Sequence, residues 1–132
     1  MQTTDAIESL VQAVIAQESS GRAEAVSEVG AVGLMQIMPE TAKEIAEELG
    51  VTDYDLTDAA TNVRFGMHYL LKLLRAFGGD KELALTAYHS GIGRVKQLLT
   101  KTQGSKLSDI KKHLGPVGQR YAAEVLGRVQ KC

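Results

Sequence analysis

Ser27-Glu28-Val29-Gly30-Ala31-Val32-Gly33-Leu34-Met35-Gln36-Ile37-Met38-Pro39-Glu40-Thr41-Ala42 is the stretch around which the rest of this chain organises. Glycines 30 and 33 permit backbone conformations closed to other residues, so the chain can fold tightly beside Glu18. Positions 19 to 34, rich in Gly, Ser and Ala and without sustained period, read as an ordered loop or a short irregular hairpin. Pro39 then opens a helix, because its missing N–H would be unpaired in a first turn anyway; Thr41 to Leu49 continue it as far as Gly50.

Working upstream, Ile7, Leu10, Val11, Val14 and Ile15 recur at helical spacing, which predicts a helix over residues 4 to 18 with Thr3 and Thr4 as candidate caps and Gly21 as its break. Downstream, a helix is expected from Ala59 to Phe77, with Val63, Met67, Leu70, Leu71 and Leu74 as its buried stripe and Gly78-Gly79 as its stop. Asp80 caps the next helix, through Tyr88 to the Ser90-Gly91-Gly93 cluster, and Val95, Leu98 and Leu99 mark another. Ser108 is the expected cap of a short helix ending near Leu114. Gly115-Pro116 separates it from a last one carrying Tyr121, Val125 and Val129. The expectation is therefore a mainly α single domain over 1–132, of about seven helices with at most a small β-element.

Composition agrees with one core. The chain has 132 residues, 44% hydrophobic but with no Trp and few other aromatics, so Leu, Val, Ile, Ala and Met must fill it. Its net charge of −1, with acids and bases interspersed, gives no footprint of nucleic-acid or anionic-membrane binding. Lys and Arg thicken from Arg94 onward, but no like-charge run develops, and solvated helix faces account for them. The one cysteine, Cys132, cannot form an internal disulfide, and no Cys/His spacing resembles a zinc site. No apolar run is long enough to span a bilayer. The N-terminus lacks a basic segment followed by an apolar stretch, so a secreted protein with this sequence is expected to be a mature or excised piece, or to leave by another route.

Glu18 is the most informative single position. It follows Ile15, Val14, Val11 and Ile7 by three, four, seven and eleven residues, so helical geometry projects its carboxyl from the apolar face. Burial there would disfavour the ionised form and let the group hold a proton near neutral pH, as a general acid must. Taken alone, the position also suits a structural acid at a fraying helix end.

Four ordered elements tip that balance. Glu18-Ser19, the Ser27 to Ala42 stretch, Ala87-Tyr88-His89-Ser90-Gly91-x-Gly93-x-Val95 and a late Tyr121, linked by Asn62-Val63-Arg64-Phe65-Gly66-Met67-His68-Tyr69-Leu70, resemble the lytic transglycosylase family related to goose-type lysozyme. The resemblance runs from about residue 5 to about residue 129. It implies a lysozyme-like helical fold and a peptidoglycan substrate, with Glu18 catalytic and Ser27, Gln36, Met38, Tyr88, His89 and Tyr121 binding the glycan. Gln36 has both donor and acceptor for a sugar acetamide or hydroxyl, and a tyrosine ring can pack while its phenol reaches a cleft. For Ser27 and Tyr88, loop structure and packing remain alternative readings; for Met35 the core is the favoured one, and Met38 suits either role.

Two departures from the family pattern stand out. His89, a larger and titratable side chain that bears on subsite fit and pH profile, occupies a place where the family usually has Asn, and Ser20-Gly21-Arg22 replaces the common aromatic-Asn-Pro after the Glu-Ser pair.

Most glycoside hydrolases need two carboxylates. Here Glu24, Glu28, Asp53, Asp55 and Asp58 read as solvated or capping residues. The family resemblance implies instead one glutamate used twice, protonating the glycosidic oxygen and then deprotonating the muramoyl C6 hydroxyl. That gives an anhydro-sugar end without a metal, another cofactor or a catalytic water. A lysozyme-type hydrolase on the same fold, and a non-catalytic peptidoglycan-binding module within a secretion apparatus or phage particle, are the alternatives. The resemblance further implies an extracytoplasmic setting, in periplasm or cell envelope.

Overall fold

The computed structural model describes residues 2–129, so Cys132 lies outside the described residues. Seven α-helices follow one another there: α1 Gln2–Ser19, α2 Pro39–Leu49, α3 Ala59–Ala76, α4 Lys81–Ser90, α5 Ile92–Thr102, α6 Leu107–Ile110 and α7 Pro116–Gly127, with a 3-10 turn at Lys111–His113. Among the described residues the β content is two isolated antiparallel bridges, Val26 with Val32 and Val32 with Ile37. The mainly α expectation, with at most a small β-element, is borne out. The chain forms two compact units, one holding the sequence up to Tyr69 together with the segment from Arg128, the other Leu70–Gly127.

In the first unit, α1 buries Leu10, Val11, Ala13, Val14 and Ile15, the face that its periodicity predicts. It starts at Gln2, so Thr3 and Thr4 lie within the first turn and not ahead of it as caps. Helix α2 has the predicted bounds: Pro39 occupies its first turn, and Gly50, at φ 71, ends it in the left-handed conformation that glycine tolerates. The side chain of Asp58 caps the start of α3, its Oδ2 accepting the Thr61 N–H at 3.0 Å and the Thr61 hydroxyl at 2.7 Å. From α3, His68 reaches Glu48 of α2 at 2.8 Å, and Arg128 Nε donates to Gln17 of α1 at 2.7 Å.

The buried side of α3 differs from the expected stripe. Asn62, Phe65, Gly66, Leu70 and Leu73 are buried, whereas Val63, Met67, Leu71 and Leu74 are only half-buried. The reason is chemical: the face turned inward carries an amide and a glycine, which a count of apolar residues passes over. Phe65 meets the Tyr54 ring at 5.0 Å in a tilted arrangement.

In the second unit, α4 packs on α5 and α7 and also touches α6. Asp80 caps α4 as expected, accepting the Leu83 N–H at 3.0 Å. The expected cap at Ser108 is not found, because α6 begins one residue earlier, at Leu107. Asp109 does the local work instead, its Oδ2 accepting the backbone N–H of Ser105 at 2.9 Å and of Lys106 at 3.2 Å. Helix α7 ends at Gly127, so Val129 lies beyond it. Tyr121, Ala122 and Val125 form its buried side with Gly118.

Candidate active site

Glu18 sits in the last turn of α1, half-buried. The serine after it explains why the helix ends there. Ser19 is 2% exposed; its hydroxyl donates to the Ile15 carbonyl at 3.2 Å and accepts the Gly21 N–H at 3.2 Å, while its own carbonyl accepts the N–H of Arg22. Ser20 at φ 55 and Gly21 at φ 83 then turn the chain into the loop.

That loop, from Ala25 to Ile37, is closed by its own polar groups. Gly33 N–H donates to the Ala25 carbonyl at 2.8 Å, and Val32 and Ile37 exchange backbone bonds at 3.0 Å. Gln36, at φ 51, spends both amide hydrogens on the same closure, with Nε2 donating to Ala25 O and Gly33 O at 3.0 Å each. Its donor side is therefore spent within the loop, and the Oε1 acceptor is what it keeps for a ligand. Ser27 likewise serves the loop, its Oγ accepting the Ala31 N–H at 3.0 Å, which leaves its O–H to donate. Met35 is fully buried, as the core reading has it, and Met38 is 37% exposed immediately before α2.

Asn62 fastens this loop to α3, a role that the sequence reading missed. Its Oδ1 accepts the Met35 N–H at 2.7 Å, and its Nδ2 donates to Val32 O and Leu56 O at 2.9 Å each. The side chain, wholly buried, thus makes three bonds to backbone. Gly33, at φ 85, lies so close that a Cβ there would overlap the Asn62 amide, and a Cβ at Gly66 would overlap Met35. One signal was available: a polar Asn and a Gly four residues apart on a helix otherwise lined with apolar residues.

The remaining candidates lie in the second unit. Tyr88 and His89 belong to the last turn of α4, and Tyr121 to α7. His89 stacks on Tyr121 with ring centroids 4.8 Å apart and planes 21° apart; Tyr121 is buried, Tyr88 half-buried and His89 exposed on its other side. Partial burial of the imidazole pushes its pKa below the usual 6.5. Elsewhere, hydrogen bonds from Thr57 and Thr61 hold the carboxyls of Asp55 and Asp58 below their ordinary range, and Glu24, Glu28 and Asp53 are exposed. Among the described residues no cluster of His, Cys, Asp or Glu could hold a metal ion, and no helix is long and apolar enough to cross a membrane.

An all-helical chain whose half-buried glutamate leads into a self-braced Gly-Leu-Met-Gln loop has the fold of the soluble lytic transglycosylases. The 70-kDa enzyme SLT70 of Escherichia coli matches 92% of this chain at 31% identity with a TM-score of 0.81, the match covering 21% of SLT70. An inactive glutamate-to-glutamine mutant of lytic transglycosylase Slt from Pseudomonas aeruginosa matches 92% at 34% identity with a TM-score of 0.80, over 20% of that chain. The chain belongs to the Transglycosylase SLT domain family, whose model matches residues 1–111. Among curated relatives, the soluble lytic murein transglycosylase of Salmonella typhimurium is 36% identical over 104 residues, 76% of this chain. The transglycosylase of Enterobacteria phage PRD1 is 47% identical over 83 residues, which is 62% of this chain and 28% of the phage protein. This chain spans about 16% of the length of the Salmonella relative.

Proposed function

We propose that this chain cleaves the β-1,4 bond between N-acetylmuramic acid and N-acetylglucosamine in peptidoglycan, leaving a 1,6-anhydromuramic acid end, with Glu18 as acid and then base. The observation that carries this reading is the Glu18-Ser19 helix end, which leads into a loop braced by Gln36 and Asn62 in a chain of this family. Relatives named for murein point to the substrate. The Pseudomonas mutant's inactivity after one glutamate-to-glutamine exchange supports a single essential glutamate.

Atoms balance without water. The Glu18 carboxyl gives its proton to the glycosidic oxygen as the bond from that oxygen to muramoyl C1 breaks. The C6 hydroxyl then closes on C1 and returns its proton to the Glu18 carboxylate. The chain's other carboxyls suit this economy. Asp55 and Asp58 are exposed and engaged with threonines, a poor setting for a second catalytic carboxylate. The proposed sugar contacts are, in the first unit, the Gln36 carbonyl, the Ser27 hydroxyl and Met38, and in the second the phenols of Tyr88 and Tyr121, with His89 where the family usually has an amide side chain. The setting is extracytoplasmic, where peptidoglycan lies.

Glu18→Gln should lower clearance of purified sacculi by about 10²-fold or more while leaving circular dichroism and sedimentation with sacculi unchanged. Turnover close to that of the parent would remove Glu18 from the mechanism.

A further inference from the structure

The turn between α6 and α7 gathers positive charge. Between Arg94 and Arg120 the chain carries seven Lys or Arg and a single acid, Asp109. All seven are exposed, and the Asp109 carboxylate is occupied by the backbone N–H groups of Ser105 and Lys106.

Four of them, Arg94, Lys111, Lys112 and Arg120, come from separate elements but converge. Arg94 of α5 donates from Nη2 to the carbonyl of His113 at 3.1 Å, which sets it against the 3-10 turn that carries Lys111 and Lys112. Lys111 in turn lines an open groove of about 410 Å³ with Gln119, Arg120, Ala123 and Glu124 of α7. Glu124 is the groove's one acid, and Arg120 lies 3.5 Å from it, so Arg94, Lys111 and Lys112 leave the face positive.

We propose that this face is an accessory binding surface for anionic peptide, specifically for the carboxylates of the peptide stems that peptidoglycan carries. The choice of polymer rests on the transglycosylase reading above; the positive face does not. The glycan backbone gives these ammonium and guanidinium groups little to pair with, whereas each stem supplies carboxylates along an extended chain that suits an open groove. Held in many places at once, such contacts raise the local concentration of polymer and speed its capture, and salt weakens them.

The test compares Glu18→Gln protein, which can bind without cutting, with the same protein carrying Arg94→Gln, Lys111→Gln and Lys112→Gln. Each is sedimented with sacculi freed of lipid and teichoic acid, and with the same sacculi after their stem carboxylates have been converted to amides with carbodiimide and ammonia. At low ionic strength the triple substitution should weaken binding to untreated sacculi about tenfold, and binding to amidated sacculi by less than about twofold. Unfolding midpoints check that both proteins are folded. Equal losses on the two polymers, no loss on either, or preferred binding to anionic phospholipid vesicles would overturn the proposal. The readout does not depend on turnover: carboxylate-dependent binding by a protein whose parent cuts no glycan would sink the enzymatic reading and leave the surface standing.

Discussion

At Asn62 a single buried amide holds three backbone groups, the buried Met35 N–H and the part-buried carbonyls of Val32 and Leu56. Removing it in Asn62→Ala should cost about 2–4 kcal/mol in chemical denaturation, since each orphaned buried group costs about 1–3 kcal/mol in isolation and the site relaxes in part. Asn62→Asp should be no better, because an oxygen would then face two carbonyls. The two loop glycines make a sharper contrast. Gly30, at φ 94, has open space where a Cβ would go, so Gly30→Ala should cost about 1–2 kcal/mol of backbone strain. Gly33→Ala adds a collision with Asn62 and with Leu56 O at 2.6 Å, so it should be destabilised clearly more than Gly30→Ala in the same urea titration. His89 yields a titration: with its folded pKa depressed, the unfolded state protonates first as pH falls below about 6.5. The stability attached to its neutral form is present above that pH and lost as pH falls through the folded value. An NMR titration of the imidazole should give a midpoint below 6.5, and a midpoint above it would contradict the stacked, partly buried ring.

At the level of elements, legibility followed chemistry. Helix α2 was readable to the residue because Pro39 and Gly50 punctuate it by backbone rules that hold in any context. Asp80 was readable for the same reason, and Asp80→Ala should cost about 1 kcal/mol of stability, measured by thermal or denaturant unfolding; an unchanged midpoint would mean that α4 does not rely on its cap. The buried side of α3 was not readable, because Asn62 and Gly66 earn their burial from a loop some 30 residues away in sequence, and periodicity records only what is apolar. The end of α6 misled for a related reason, since Asp109 reaching back to Ser105 and Lys106 leaves Ser108 no capping task. In the candidate site the motif pointed to Gln36 and Ser27, yet the hydrogen bonds that they make within the loop depend on the fold of the turn and left no trace in composition.

For the whole molecule, which belongs to the SLT family, the reaction proposed above makes one chemical claim, that the cut sugar supplies its own nucleophile. Charge adds a second layer, since a chain with net charge near zero concentrates its bases between Arg94 and Arg120. The most direct measurement is mass spectrometry of the fragments that the purified chain releases from sacculi. Muropeptides ending in 1,6-anhydromuramic acid, 18 mass units lighter than their hydrolysed counterparts as loss of one water dictates, are the predicted result, about absent with Glu18→Gln. Fragments bearing reducing muramic ends would contradict it and would mean that water, not the C6 hydroxyl, attacks.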